Sequence, residues 1–349
     1  MPWDEKLVDE AAISKTPPSG SGRIITYTQA LNEALDSAMA QDPCVIVLGQ
    51  GVDDPGAMFG TPKNLPTKYG AERVFDTPVS EEGLMGLCVG AAMNGLRPVY
   101  MHNRPDFLLL TFNQLVTHAA KIHYMSNGLT RVPMVVWSAI GRGWGSGAQH
   151  SQSVQGLLLG VPGLKIVMPS TPYDAKGLML AAIQDNNPVL FFEHRWLMKK
   201  SGPVPLEDYT IELGVAVTRR KGKDITVVGV SHAVELAQQA ADELAREGGP
   251  DVEVIDLRTI QPLDEAAILA SVKRTGRLII TDTGWAVGGL CAEIGCIVAE
   301  KAFSSLKSGV IRVALPDGHS PAGHVLENAY YPDVKRLKEA MLASMQGQS

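Results

Sequence analysis

The stretch TPVSEEGLMGLCVGAAMNGLRPVYM, residues 77–101, joins a helical pattern over 82–95 to the continuous apolar run Pro98-Val99-Tyr100-Met101. A strand that is apolar on both faces must be covered on both faces, which points to a parallel sheet between helices. The same alternation recurs on either side of it. Strand-like runs fall at Val45-Ile46-Val47-Leu48, Pro133-Met134-Val135-Val136-Trp137, Lys165-Ile166-Val167-Met168 and Val189-Leu190-Phe191-Phe192, with helical patterns over 113–126 and 173–184. Upstream, Ala30, Leu31, Ala34, Leu35 and Ala38 keep helical spacing from Thr26 onward.

Segment 199–222 breaks this rhythm with Lys, Pro and Gly, and reads as a linker passing into an edge strand. A second α/β series then starts at Ile225-Thr226-Val227-Val228-Gly229-Val230. It continues through helical patterns at 232–246, 264–273 and 289–303, strands at 252–255, 277–280 and 309–313, and an amphipathic helix from Asp333. The expected architecture is two parallel-sheet α/β domains: a flexible arm over 1–22, a first domain over 23–200, a linker over 201–222 and a second domain over 223–349. A length of 349 residues suits two domains.

Hydrophobic residues make up 45% of the chain and charged residues 19%, as in an ordinary globular protein with ample core. The net charge is −6, with no basic stripe to suggest a nucleic-acid partner. The N-terminal segment has no apolar signal core, and no window offers the ~18 apolar residues of a membrane span. The four cysteines form no CxxC pair, so buried thiols are expected in preference to disulfides or zinc. Together these features point to a cytoplasmic enzyme.

Common catalytic signatures are missing. Gly143-Trp144-Gly145-Ser146-Gly147 is neither GxGxxG nor a Walker loop, no GxSxG elbow occurs, and the eight histidines form no HExxH pair. What stands out is Glu81, in Thr77-Pro78-Val79-Ser80-Glu81-Glu82-Gly83, and His150, in Ala148-Gln149-His150-Ser151-Gln152. Each follows an apolar strand, where a helix is expected to begin and where α/β sheets collect ligands. Glu81 also suits the first turn of a helix on dipole grounds alone.

Asp76-Thr77-Pro78-Val79-Ser80-Glu81, Val89-Gly90-Ala91-Ala92, Gly95-Leu96-Arg97-Pro98, Ala148-Gln149-His150-Ser151-Gln152, Asp185-Asn186-Asn187-Pro188 and Asp256-Leu257-Arg258-Thr259-Ile260-Gln261-Pro262-Leu263-Asp264 occur in that order. The set resembles the E1 β subunit of thiamine-diphosphate-dependent 2-oxo acid dehydrogenases, from about residue 24 to the C-terminal helix. The resemblance implies a transketolase-like pyrimidine-binding domain followed by a transketolase C-terminal-like domain. It implies oxidative decarboxylation of a 2-oxo acid with transfer of the acyl group to a lipoyl acceptor.

By the same resemblance, Glu81 matches the glutamate that bonds N1′ of the cofactor's aminopyrimidine. That contact favours the imino tautomer, which takes the proton from the thiazolium C2. Glu82 would point elsewhere. Phe107 matches the phenylalanine that packs on the aminopyrimidine ring, although the run Phe107-Leu108-Leu109-Leu110 would also suit plain core. His150 matches the histidine that handles protons near the reacting carbon. Gly-Asp-Gly is missing from the chain, so the resemblance implies an α subunit that supplies the Mg²⁺ and diphosphate ligands in an α₂β₂ heterotetramer. It further implies docking of a lipoyl-bearing acyltransferase, and a potassium ion held by main-chain carbonyls matching Met134, Ala182, Ile183, Asp185 and Asn187.

Three segments depart from pyruvate-type relatives: His102-Asn103-Arg104-Pro105-Asp106-Phe107, Gly141-Arg142-Gly143-Trp144-Gly145 and Glu193-His194-Arg195-Trp196-Leu197. Arg104, Arg142, His194 and Arg195 are therefore candidates to hold a more polar or anionic substrate. For His194 and Arg195 a solvated strand end is the competing reading. A two-subunit transketolase-like enzyme, acting on a polar or phosphorylated ketol or 2-oxo acid without a lipoyl step, is the alternative function.

Overall fold

The computed structural model describes residues 23–54, 60–143 and 145–346. The arm expected over 1–22 lies outside the described residues. Seven strands form the larger sheet. From one edge they run Thr259–Gln261, Lys165–Val167, Val189–His194, Val135–Ile140, Arg97–Met101, Val45–Gly49 and Val74–Phe75. All neighbours are parallel except Thr259–Gln261, which comes from the second half of the chain and pairs antiparallel with Lys165–Val167. The four central strands are buried along almost their whole length, which is why their sequences are continuously apolar.

The second domain carries a five-stranded sheet in the order Ile311–Leu315, Leu278–Trp285, Ile225–Gly229, Val252–Asp256 and Val217–Arg220. Its last strand is the antiparallel edge. Linker residues Ser201–Val204 also pair with Arg23–Thr26 as a two-stranded ribbon. One apolar core runs through both domains, joining Ile140, Val154 and Ile166 to Val228, Ile255 and Leu290.

Local sequence explains the helix ends. Thr26 caps the Tyr27–Gln41 helix in a reciprocal capping box with Gln29, and the Asp333 carboxylate accepts the Arg336 N–H at the start of Val334–Met345. Two expectations fail. The single helix expected over 113–126 is a winding segment: a 3₁₀ turn at Pro105–Thr111, a π-helical stretch at Asn113–Ala119 and a short α-helix at Ile122–Met125. Its buried residues Leu108, Thr111, Leu115 and Ala119 keep one side against the Glu81–Met93 helix, so packing rather than propensity sets its course. No helix begins at His150 either. The residue sits in a turn, and Val154 and Leu158 are buried around the short 3₁₀ turn Gln155–Leu158.

Cys88 and Cys291 are buried, Cys44 is half-buried, Cys296 is exposed, and all four are free thiols. Among the described residues no helix is long and apolar enough to cross a membrane.

Candidate active site

Parallel strands send all their carboxyl ends to one edge, and the loops leaving that edge carry the chemistry of the first domain. Phe75 leads through Asp76 to Glu81, Met101 leads to Phe107, Ile140 leads to His150, and His194 is followed by Arg195. Residues scattered over 120 positions thus meet because their strands are neighbours.

Glu81 is the first residue of the Glu81–Met93 helix and is half-buried, whereas Glu82 is exposed and accepts Asn113 Nδ2–H at 2.7 Å. The two adjacent carboxylates do different work. The field of Glu81 reaches Tyr100 and His102. His102 is 2% exposed, and neither of its ring nitrogens has a hydrogen-bond partner among the described residues. Burial drives its pKa down to about 4, with Glu81 pulling weakly the other way, so the ring is neutral.

Phe107 and His150 meet edge to face, with ring centroids 5.2 Å apart. The His150 segment is held from several sides. Its own carbonyl accepts Arg195 Nη2–H at 2.7 Å, and the next carbonyl, of Ser151, accepts the Tyr331 hydroxyl at 3.2 Å. Asp106 Oδ1 accepts the Gln152 N–H at 3.2 Å, and Gln155 Nε2 donates to both oxygens of Asp282, at 2.9 and 3.0 Å. Gly145 and Gly147 take φ of +65°, where a side chain would be strained, and a Cβ on Gly145 would also press the Ala322 carbonyl at 2.9 Å.

The substrate candidates occupy different surroundings. Arg195 is 8% exposed and braces His150 from behind. His194 is buried, stacks on His232 at 4.8 Å, and accepts the Trp196 N–H at Nδ1. Burial, with His232 and Arg142 close by, holds its pKa well below the ordinary value. Arg142 lies over the rings of Trp196 at 4.2 Å and Tyr331 at 4.9 Å, and donates to Asn328 Oδ1 at 3.0 Å. His194 and Arg142 therefore belong to a cluster between the domains, lined also by Thr283 and Pro332. The solvated strand end considered for His194 and Arg195 is overturned, because both are buried, His194 against His232 of the second domain and Arg195 against the His150 segment. Arg104 is half-buried on the turn leading to Phe107, in the field of Asp106.

At the opposite edge of the sheet, Arg97 Nη1 donates to the carbonyls of Ile183 at 2.9 Å and Asp185 at 3.0 Å. The Met134 carbonyl accepts Val189 N–H at 2.9 Å, and the Asp185 carboxylate accepts both the N–H and the side-chain amide of Asn187 at 2.8 Å. Ala182 is buried in the last turn of the same helix. Sequence reasoning missed His102, Asp106, Gln155, Asp282 and Tyr331. For Asp106 there was one signal, a lone charge beside Phe107 at the mouth of an apolar run.

These residues fit an aminopyrimidine. A half-buried carboxylate at a helix start, a partly exposed phenyl ring and an imidazole beside it could bond a ring nitrogen, pack on the ring plane and exchange protons. Comparison with known proteins agrees with this chemistry. Residues 23–200 match the transketolase pyrimidine-binding domain and residues 214–337 the transketolase C-terminal domain. The chain is 41% identical to the β subunit of acetoin:2,6-dichlorophenolindophenol oxidoreductase from Bacillus subtilis, over 92% of this chain and 97% of that one. It is 38% identical to the pyruvate dehydrogenase E1 component subunit beta of the same organism, over 90% and 97%. Its fold is similar to that of a split-gene transketolase solved as an inactive β4 tetramer, with a TM-score of 0.74 at 20% identity, covering 93% of this chain and 99% of that chain.

Proposed function

Because this chain belongs to the E1 β-subunit family of thiamine-diphosphate-dependent 2-oxo acid dehydrogenases, we propose that Glu81, Phe107 and His150 form the cofactor-facing half of its active site. When bound, thiamine diphosphate supplies the carbanion chemistry that cleaves the bond next to a ketone. Glu81 holds N1′ of the aminopyrimidine, Phe107 packs on its face, and His150 takes or gives protons at the substrate or the acyl acceptor. The observation that carries this reading is the division of labour at the helix start. Glu81 is half-buried beside neutral His102, while Glu82 is turned outward and engaged by Asn113.

The chain works as a β subunit with an α partner. Among the described residues no three His, Cys, Asp or Glu side chains converge as a metal site, so we place the Mg²⁺ and diphosphate ligands on that partner. Val79 and Leu110, 74% and 56% exposed near Glu81 and Phe107, give it an apolar surface to cover. We further assign an α₂β₂ assembly, transfer of the acyl group to a lipoyl-bearing acyltransferase, and a cytoplasmic setting in keeping with four free thiols. A potassium ion would use the carbonyl oxygens of Met134, Ala182, Ile183, Asp185 and Asn187, and would have to share or displace the Arg97 guanidinium that holds those of Ile183 and Asp185. Arg104, on the open turn before Phe107, is the first choice for the substrate carboxylate.

The test is turnover by the chain co-purified with its α partner, thiamine diphosphate and Mg²⁺. A panel of 2-oxo acids and acetoin is offered with a lipoyl domain and, separately, with aldehyde acceptors. Acyl-lipoyl product supports the dehydrogenase reading and names the donor. Ketol product with a silent lipoyl arm would replace it with the transketolase-like alternative.

A further inference from the structure

Two loops must act together in this site, one carrying Phe107 and the other His150. A buried side chain joins them by a direct hydrogen bond. Asp106 immediately precedes Phe107 on the turn Pro105–Thr111 and is 7% exposed. Its Oδ1 accepts the N–H of Gln152, two residues beyond His150, at 3.2 Å. Its Oδ2 is buried without a hydrogen-bond partner. Burying a carboxylate with half its capacity unused is costly unless the geometry it enforces is needed. Burial pushes its carboxyl above the ordinary carboxylate range, the bond from Gln152 and, least, His150 drawing it back, while burial lowers Arg104 and Asp106 opposes that. The aromatic contact between Phe107 and His150 closes the same loop of contacts.

We propose that Asp106 is the positioning residue of this site: it ties the His150 segment to the Phe107 turn, so that the ring packing on the cofactor and the proton-handling imidazole are held as one unit. The proposal rests on the thiamine-site reading above. Other contacts hold the His150 segment to the end of a neighbouring strand or to the second domain. The Asp106 bond, by contrast, runs between the two loops that carry the chemistry.

The experiment compares wild type, Asp106→Ala and Asp106→Asn in the α-containing complex. It reads kcat, KM, thiamine diphosphate affinity and hydrogen exchange at the Gln152 amide. An Asn oxygen can accept the same N–H, whereas Ala cannot. Asp106→Ala is expected to lower kcat about 10- to 100-fold, the scale of a displacement near 1 Å. KM and cofactor affinity should stay within about threefold, because the groups that bind are intact. The Gln152 amide should exchange faster in the Ala variant and stay protected in Asp106→Asn, which should keep kcat within about threefold of wild type. An Ala variant that turns over like wild type while its Gln152 amide exchanges freely would overturn the proposal. So would an Asn variant as impaired as Ala, since the charge and not the tie would then matter. Should the Ala complex fail to assemble, Asp106→Glu shifts the acceptor by one methylene, and undiminished turnover there would also refute the tie. A wild-type complex silent with every donor would instead bring down the thiamine-site reading itself.

Discussion

Two buried polar regions of this chain behave in opposite ways. In the joint between the domains, Arg219 bonds the carboxylates of Asp174 and Asp256, Ser170 donates to Asp256, and Arg258 reaches Asp174 at 3.6 Å. Nearly every charge there has an opposite within reach. At the carboxyl edge of the first sheet, both nitrogens of His102, one oxygen of Asp106 and both oxygens of Glu193 are buried without hydrogen-bond partners. A buried polar group left unpaired costs about 1–3 kcal/mol. The joint carries it at one atom only, Asp174 Oδ1, which Arg258 approaches at 3.6 Å, whereas the edge carries it several times over. A saturated cluster can only hold things together, whereas an unsaturated one keeps capacity for a ligand and for proton transfer.

Glu81→Gln tests the edge most severely. It should lower turnover of the α-containing complex by about 10²–10⁴-fold while leaving co-purification unchanged. Activity surviving within about tenfold would remove the edge from the chemistry. Next in size, Arg219→Ala should destabilise the complex by about 3–5 kcal/mol in urea unfolding, because it strands two buried carboxylates. A loss below about 1 kcal/mol would mean that the joint is not the saturated cluster its geometry suggests.

Glu193→Gln sharpens the contrast through pH. Burial pushes the Glu193 carboxyl from its ordinary 4.5 up to about 8. Between those values the folded chain holds a proton that the unfolded chain has released. The stability of wild type relative to the variant therefore falls as pH rises, by about 1.4 kcal/mol per pH unit. Urea midpoints of wild type and variant across that window read the slope directly, and parallel curves would show that Glu193 is ionised in the fold. Smallest of all, Glu82→Gln should leave turnover within about twofold and stability within about 0.5 kcal/mol, since Glu82 is exposed.

Legibility followed the same division. The central strands could be read because burial on both faces makes them apolar over most of their length, with Ser138, Glu193 and His194 as buried polar exceptions. Glu81 was singled out through the family resemblance of Asp76-Thr77-Pro78-Val79-Ser80-Glu81, and the helix start only separates it from Glu82, because adjacent positions there point different ways. The segment 105–125 could not be read, since its 3₁₀, π and α pieces have different periods and each is too short to show its own. Asp106 and Tyr331 were hidden for another reason: their partners, Gln152 and Ser151, lie 46 and 180 residues away. No local spacing encodes such pairs.

By itself the sequence determined two α/β domains and the family, and it singled out the three side chains proposed to face the cofactor. These depend on the order of polar and apolar residues along short stretches. Tertiary structure alone decided that Thr259–Gln261 joins the first sheet, that Arg195 turns inward to His150, and that Asp106 ties the Phe107 turn to Gln152. Those outcomes depend on which strand ends become neighbours. That is settled when the sheets form and the domains close on one another, and not by any residue's sequence neighbours.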